Sequence, residues 1–526
     1  FVDVSKQVTN YEIAPDGSRA LFGARGDVFT VPVKHGNTRN LTQTPGVHER
    51  NSKWSPDGKW IAYISDATGE DEVYIVPQNG SAPATQVTSG GDNYKYQILW
   101  SPDSKKLMWS DRLQRLRIVD IETKRITEVA SAEAFEIRQY AWSPDSKWIA
   151  YARPEVETMT RVYLYSLDTK STVAVTDGWY SSYAPAFSSD GTYLFFVSNR
   201  SFSPTYSQTE WNHAYLDMAK IYLVTLAKET ASPFAPKSDE VKIDEPKKDE
   251  KKAPDTKTPM KVDAEGIGSR IAAIPVTAAN YRDLGSVGDK LYYIRQGSKD
   301  AKAKLFLYEL DKQKETELGE VNGYEISADG KKMLVGQDGT YAIIDLPSGK
   351  IDIKERLNLS DLKVRLDRRS EWSQIFREAW RQMRDFFYAP NMHGVDWPAM
   401  KKKYEPLVAH VNHRVDLTYV IGEMVSELNV GHAYVGGGDF PKPDRVSLGL
   451  LGAKVERDVA SGLPRITKIL RGENWDPSRR SPLTDIGVDV REGDFILAVN
   501  GQPTNRMANF YESLVNTAGK QVTLKV

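Results

Sequence analysis

Short apolar runs separated by compact polar turns fill about two thirds of the chain, and they predict β-strands. Residues 60–64 (WIAYI) are aromatic and β-branched without polar alternation, as expected of a strand covered on both faces. The turn before them, residues 55–58 (SPDG), combines a fixed φ, a side-chain cap and a permissive glycine. Trp54 precedes this turn, and we expect it to wedge between neighbouring layers.

This turn-and-strand phrase recurs at a spacing of roughly 40–46 residues, the period of a four-stranded propeller blade. A degenerate copy at residues 280–294 lacks the Pro-Asp turn and brings the count to seven. We therefore predict a seven-bladed β-propeller over residues 1–353. The alternative, a β-sandwich with coincidental turns, does not account for one sustained period. The six clearer copies begin at Ile13, Trp54, Trp100, Trp142, Phe187 and Ile326.

A charged insertion at about residues 232–264 interrupts the repeat. It is rich in Lys, Asp, Glu and Pro and has almost no large apolar residues. Such a segment buries too little surface to offset its ordering entropy, so we predict a disordered loop. A charged docking tail is the functional alternative, and a solvated insertion is the simpler interpretation.

The pattern changes near Lys354, where a period of 3.6 residues begins and predicts helices over residues 354–440. Asp396 is placed to cap a second helix beginning near Trp397, and Asp416 to cap a third. The apolar face of the first helix contains Trp372, Ile375, Phe376, Ala379, Trp380, Met383, Phe386 and Phe387.

Residues 441–526 form a small β-rich pattern. Residues 447–455 suit a strand that follows a glycine-containing loop, and residues 491–501 a strand that ends in an Asn-Gly turn. A short helix is expected over residues 509–517, and a final strand over 521–526. The free amides of a sheet edge beside a helix accept extended peptides by strand addition.

Composition narrows the functional classes. The 526 residues have a net charge of −1, so no overall field attracts nucleic acid or anionic lipid. No apolar run is long enough for a membrane span, and the absence of cysteine excludes disulfides and thiolate chemistry. No His/carboxylate cluster repeats at ligand spacing, so neither metal nor other cofactor is predicted. A cysteine-free chain fits the bacterial periplasm, which we favour, or the cytoplasm.

His432 is the best candidate catalytic residue, because a histidine acts as a general base near neutral pH. It follows the end of the third predicted helix. The structural alternative is that Gly431 closes this helix in a left-handed conformation and the histidine interacts with the helix dipole. No convincing nucleophile accompanies His432, and no Gly-x-Ser-x-Gly elbow indicates an α/β-hydrolase.

Several motifs resemble known families. Residues 493–501 (GDFILAVNG) are similar to the signature of PDZ domains. Residues 377–388 (REAWRQMRDFFY), 392–397 (MHGVDW) and 421–432 resemble the helical domain of tricorn-type proteases. That family also places a seven-bladed propeller before the helical domain and a PDZ domain after it, so the resemblance covers essentially the whole chain.

The resemblance implies a serine peptidase that acts on oligopeptides, with His432 as general base. In this family the nucleophilic Ser and a Glu come from an α/β domain beyond the PDZ domain, and the propeller is a filter or channel for peptides. The implied partners are peptides or unfolded protein segments, that catalytic domain and further copies of the same chain. Gly431 departs from the archetype, which has Ser there, and Val526 is where the PDZ domain would end.

Two functions follow from these patterns. The first is the non-nucleophile portion of a tricorn-like serine peptidase, truncated at one or both ends and inactive alone. The second is a non-catalytic peptide-binding or scaffold protein that uses the propeller and the PDZ-like module. In either case the amides of Leu448, Gly449 and Leu450 are the candidate substrate-binding groups, since they are placed to receive a terminal carboxylate. The structural alternative for this loop is an ordinary strand start.

Overall fold

The chain folds into two compact units, Phe1–Gly437 and Gly438–Val526. Among the described residues the first contains nine sheets, seven of them with three or four strands, and three α-helices, and the second contains a small β-rich fold. The predicted three-domain division stays a prediction, and most of the predicted charged insertion (residues 237–259) lies outside the described residues. The computed structural model describes residues 1–207, 209–210, 212–236, 260–440, 443–473 and 475–526.

Seven antiparallel sheets follow one another along the first unit, which confirms the predicted propeller. Strand β1 (Val2–Asp3) precedes them. The first four sheets contain β2 to β5 (Val8–Ile13, Arg19–Ala24, Asp27–Pro32, Arg39–Asn40), β6 to β9 (Glu49–Trp54, Trp60–Ser65, Glu72–Pro77, Thr85–Gln86), β10 to β13 (Lys95–Trp100, Lys106–Asp111, Arg115–Asp120, Ile126–Ser131) and β14 to β17 (Gln139–Trp142, Trp148–Arg153, Arg161–Ser166, Thr172–Ala174).

The fifth blade carries an inserted hairpin, and within the described ranges the seventh has three strands where the other six have four. The fifth contains β18, β19, β22 and β23 (Ser182–Phe187, Tyr193–Ser198, Lys220–Thr225, Ile271–Ala273), with β20 and β21 (Thr205–Tyr206, His213–Ala214) inserted. The sixth contains β24 to β27 (Asn280–Val287, Lys290–Gln296, Lys304–Glu309, Lys314–Glu320), and the seventh β28 to β30 (Gly323–Ile326, Lys332–Gln337, Thr340–Asp345).

The recurrent turn has one hydrogen-bond pattern in five of the blades. In the second blade Ser55 Oγ donates to Asp57 Oδ1 (2.7 Å) and accepts from the Trp60 amide (2.9 Å). The pKa of Asp57 is lowered because the hydrogen bonds from Ser55 and the Lys59 amide outweigh burial, which would raise it. The same serine-to-aspartate bond recurs in the turns at Ser101, Ser143, Ser188 and Ser327.

The aromatic residues before the turns join neighbouring blades, as predicted for wedging side chains. Trp100 Nε1 donates to the Lys53 carbonyl (3.1 Å) and Trp142 Nε1 to the Leu99 carbonyl (3.3 Å). Each indole therefore buries its ring between two sheets and satisfies its only polar group on the preceding blade.

The ring closes between the seventh and first blades without a shared strand. Lys53 Nζ lies 3.6 Å from Glu12 Oε1 and 3.5 Å from Glu325 Oε1, so three charges link the second, first and seventh blades. Strand β1 pairs with β31 (Lys363–Val364), and Leu362 is fully buried beside it. The closure thus depends on side chains, on this short two-stranded sheet and on the Asp329 amide, which donates to the Pro15 carbonyl (3.2 Å).

Three α-helices follow the propeller: α1 (Arg368–Phe386), α2 (Trp397–Tyr404) and α3 (Arg414–Ser426). Asp396 accepts from the Ala399 amide (3.0 Å), which confirms the predicted cap of α2. The predicted cap of α3 is wrong by one turn. His413 is the N-cap, and Asp416 lies in the third helical position, where its carboxylate accepts from the His413 amide (3.0 Å).

The second unit is less regular than expected. Its strands are β32 (Ala453–Arg457), β33 (Pro464–Ile469), β34 (Ala498–Val499), β35 (Gln502–Pro503) and β36 (Leu524–Lys525). The Asn-Gly turn is confirmed, since Asn500 (φ 47°) and Gly501 (φ 80°) join β34 to β35. The expected helix is wrong in type and length, because Phe510–Leu514 forms a 3₁₀ turn. The strand expected at 447–455 begins at Ala453.

Prediction: Ser146 stabilises the contact between the third and fourth blades. It has a left-handed backbone (φ 61°), and its Oγ accepts from the Asp103 amide of the preceding turn (3.0 Å). Ser146→Ala keeps the strain and loses the bond, so we expect a loss of about 1–2 kcal/mol in the free energy of unfolding. Ser146→Gly relieves the strain and should lose less than about 1 kcal/mol. Urea titration of both variants measures the order, and equal losses would contradict this role.

Candidate functional site

The candidate base follows the buried end of α3. Leu428 is fully buried, and its amide donates to the Val425 carbonyl (3.2 Å). Asn429 then adopts a left-handed conformation (φ 46°). Gly431 is absent from the positive-φ positions, so the interpretation that it closes the helix is wrong, and Asn429 takes that role.

His432 projects from this loop into solvent. Its own backbone is left-handed (φ 59°), a conformation that costs a non-glycine residue energy and is frequent at functional sites. Its Nδ1 lies 3.2 Å from the exposed Tyr434 hydroxyl. Within the described part of the chain no carboxylate forms an ion pair with this ring, because Glu427 contacts Lys403 and the Tyr404 hydroxyl instead.

A second histidine anchors the loop. His393 Nδ1 donates to the Leu428 carbonyl (2.9 Å), and its Nε2 lies 2.5 Å from the Tyr388 hydroxyl. His393 therefore bridges the end of α1 and the end of α3. From the sequence alone His393 shows no metal-ligand spacing, which indicates a structural role. The signal that was available is the 392–397 motif, whose histidine lies between two helices.

Helix α1 joins this loop to the rest of its unit. On one side Trp372, Phe376 and Trp380 are buried against the other helices. Trp380 Nε1 donates to the Trp397 carbonyl and Trp397 Nε1 to the Trp380 carbonyl, both at 3.0 Å. This reciprocal pair fixes α2 against α1.

The other side of α1 carries charges that face the first two blades. Arg381 and Asp66 are both buried and form an ion pair, and Arg381 also donates to the Gly69 carbonyl (3.0 Å). Buried charges are costly unless they are paired, so each partner requires the other. The remaining ion pairs are Arg25–Glu371, His48–Glu378 and Arg384–Glu70.

One of these ion pairs changes its charge with pH, because it contains a histidine. His48 Nδ1 lies 2.9 Å from Glu378 Oε2. Burial would raise the pKa of Glu378, but the hydrogen bond and charge of His48 lower it to about 2. Burial would lower the pKa of His48, but Glu378 raises it above its usual value. No local sequence signal joins these residues, which lie in a propeller loop and a helix.

The candidate peptide-binding loop belongs to the second unit. Leu448 forms an isolated bridge with Val515, and the Gly449 amide donates to the Leu514 carbonyl (2.8 Å). The Gly449 amide is therefore already used inside the unit. Leu448 and Leu450 are exposed, and among the described residues no backbone acceptor lies on their amides.

Metal-binding clusters and membrane-spanning helices are both absent from the described residues. No three His, Asp or Glu side chains among them are grouped closely enough to hold a metal ion. No helix among them has both the length and the apolar character to cross a membrane.

Comparisons with known proteins agree with this architecture. The family model "Tricorn protease second beta propeller domain" matches residues 8–347, "Tricorn protease C1 domain" residues 368–426 and "Tricorn protease PDZ domain" residues 449–526. The chain belongs to the tricorn protease family.

Individual relatives extend over nearly all of the chain. "Tricorn protease homolog 1" of Streptomyces coelicolor is 32% identical over 95% of this chain and 49% of its own length. "Tricorn protease homolog" of Saccharolobus solfataricus is 28% identical over 98% and 47%, respectively. The crystal structure of the tricorn protease matches with a TM-score of 0.84 at 21% identity, over 99% of this chain and 50% of that one. The chain thus spans about half the length of the curated relatives it matches.

The matches to the tricorn family models cover some of the candidate residues and leave others outside. The C1 model ends at residue 426, six positions before His432, so its match covers the helices that support the loop and leaves the loop itself outside. The PDZ model begins at residue 449 and includes Gly449 and Leu450. The role of these residues therefore depends on the geometry described above.

Prediction: the docking of α1 is pH-dependent through His48 and Glu378. The lowered pKa of Glu378 makes its contribution present above about pH 4.3, and the raised pKa of His48 makes its contribution largest below about pH 6.5. We expect His48→Gln to lose roughly 1 kcal/mol more in the free energy of unfolding at pH 5.5 than at pH 9. Arg25→Gln is the control, since it removes another ion pair of α1, with Glu371, that contains no histidine. An equal loss of stability for His48→Gln at both pH values would refute the prediction.

Prediction: Gly449 is required by packing inside the second unit. A Cβ at this position would lie 2.2 Å from Thr517 Oγ1 and 3.2 Å from the Thr517 carbonyl carbon. We expect Gly449→Ala to destabilise residues 438–526 by about 1–3 kcal/mol. The double variant Gly449→Ala/Thr517→Ala should recover part of the loss. Hydrogen exchange of this unit measures both effects, and an unchanged single variant would show that the loop is not held by this contact.

Proposed function

We propose that this chain is the non-nucleophile part of a serine peptidase that acts on oligopeptides. His432 is the general base, and the nucleophilic serine comes from a domain outside these 526 residues. The observation that carries the proposal is the position of His432, exposed in a left-handed conformation on a loop held by buried Leu428. The family membership of the chain supports it. Domain boundaries at residues 353 and 440 belong to the same proposal.

The hydrogen bond of His432 suits this role. When Nδ1–H donates to the Tyr434 hydroxyl, the lone pair lies on Nε2, which is then available to accept a proton. Nε2 takes the proton of the attacking serine hydroxyl and returns it to the leaving amine of the cleaved peptide. A carboxylate from the nucleophile domain would replace Tyr434 at Nδ1 and stabilise the imidazolium.

The helices supply the required rigidity. His393 holds the Leu428 carbonyl, and α1 joins the helices to the propeller through the Arg381–Asp66 pair. Small displacements of a catalytic group cost large factors in rate, so a base on a loop needs such anchoring. Gly431 leaves the flank of His432 open, since a Cβ added to this glycine would meet nothing within 4 Å. The loop therefore has space for a side chain at this position, and in this chain His432 acts without a neighbouring hydroxyl from residue 431.

The second unit contributes peptide capture in this proposal. The amides of Leu448 and Leu450 receive the terminal carboxylate of a peptide, whereas the Gly449 amide stays bound to Leu514. The competing function is a peptide-binding or scaffold protein without chemistry. It is favoured by the contact of His432 with Tyr434 in place of a carboxylate.

Prediction: His432 carries the chemistry and Tyr434 only orients it. In the protein with its nucleophile domain, His432→Ala should lower kcat/KM on a fluorogenic peptide by roughly 10³-fold or more, and Tyr434→Phe by less than about 10-fold. His410→Ala, an exposed histidine of the same helical region, is the matched control and should leave kcat/KM unchanged.

Assays of the purified 526-residue chain show whether the nucleophilic serine lies inside or outside it. It should neither cleave the peptide nor react with a fluorophosphonate probe. Turnover by this chain that His432→Ala abolishes would place the serine inside it. Full activity of the His432→Ala protein would overturn the assignment of His432 as the general base, and the absence of peptidase activity in the unsubstituted protein with its further domain would favour the scaffold function.

A further inference from the structure

The seventh blade has three strands in the described part of the chain. Its sheet order is β28-β29-β30, and among the described residues no strand pairs with the outer edge of β30. The other six blades each place a fourth, antiparallel strand at this edge, and two paired residues are sufficient in the first and second blades. Strand β30 therefore presents backbone groups that every other blade covers.

Burial along the third strands shows the consequence. Residues 305–309 of β26 in the sixth blade are all buried under its fourth strand. In β30, Ala342 is buried, whereas Ile343 and Ile344 are only half-buried although they face the cores shared with the first and sixth blades. Strand β30 thus has the apolar side chains that are typical of a buried strand, but these side chains remain partly exposed to solvent.

Part of the outer edge of β30 has backbone amides and carbonyls that no described backbone group bonds. Ala342 and Ile344 are directed toward β29, so the polar groups of Tyr341, Ile343 and Asp345 face outward. The Leu357 amide donates to the Tyr341 carbonyl (2.8 Å). No described backbone group bonds the outward amides and carbonyls of Ile343 and Asp345.

A cavity of about 570 Å³ lies beside this part of the outer edge. It is bounded by β30 and by residues 346–357, which pass over the blade and return. Five cationic and three acidic side chains line it. Lys332 is paired with Asp345 and Lys354 lies 3.9 Å from Asp352, whereas Lys34 and Lys350 are exposed. The lining therefore favours a ligand with negative charge.

We propose that the outer edge of β30 binds an extended acidic segment of a second polypeptide, which becomes the fourth strand of the seventh blade. The main chain of this segment bonds Ile343 and Asp345. Its apolar side chains cover Ile343 or Ile344, and its carboxylates lie near Lys350 and Lys354. This site lies on the first unit and does not depend on His432 or on the loop at Leu448.

The test uses the full chain and a labelled eight-residue peptide of alternating Val and Glu, blocked at both ends so that no terminal carboxylate is present. We expect saturable binding and slower hydrogen exchange at the Ile343 and Asp345 amides. A peptide with alternate backbone N-methyl groups and a Val/Lys peptide should each bind about 10-fold or more weakly.

Charge variants identify the surface. Lys350→Glu/Lys354→Glu should weaken binding of the Val/Glu peptide by about 10-fold, whereas Lys105→Glu/Lys147→Glu, on exposed turns of the third and fourth blades, should not change it. The proposal is overturned if the peptide does not bind saturably, if N-methylation has no effect, or if protection appears only in residues 438–526.

Discussion

The paired charges between helix α1 and the first two blades are the constraint on which the geometry of the first unit depends. Arg381 and Asp66 are buried, and either one alone would be a desolvated charge that costs about 3–5 kcal/mol. Such a pair adds little net stability compared with apolar packing, but it allows one register of the helix. The register of α1 sets the position of the loop with His432, because α1 contacts α3 and because His393 bonds the end of α3.

The propeller provides the rigid surface for this docking. In five blades the serine and aspartate of the turn satisfy the backbone groups that a tight turn exposes. The indoles of Trp100 and Trp142 bond the preceding blade, so the second, third and fourth blades stabilise one another. The seventh blade departs from this uniformity, and its uncovered strand is the reason to expect a partner there.

Local chemistry made much of this predictable. The spacing of Trp54, Trp100 and Trp142 gave the blade period, and Asp396 gave the start of α2, because turns and caps are decided within a few residues. The prediction for α3 failed at its cap because a histidine, which is rarely an N-cap, accepts the Val415 amide. The 3₁₀ turn at Phe510–Leu514 was also missed, since helical periodicity over one or two turns does not distinguish the two helix types.

The sequence by itself determined the number of blades, the order of the parts and the candidacy of His432, because periodicity, turn residues and motifs are local properties. The tertiary structure decided the contacts between distant residues. His48 contacts Glu378 across 330 positions of sequence, and the Gly449 amide donates to the Leu514 carbonyl. In the described part of the chain β30 has no outer neighbour, unlike the other third strands. No short sequence pattern encodes these contacts. They form when separate elements pack together and exclude water, so that the polar groups between them must pair.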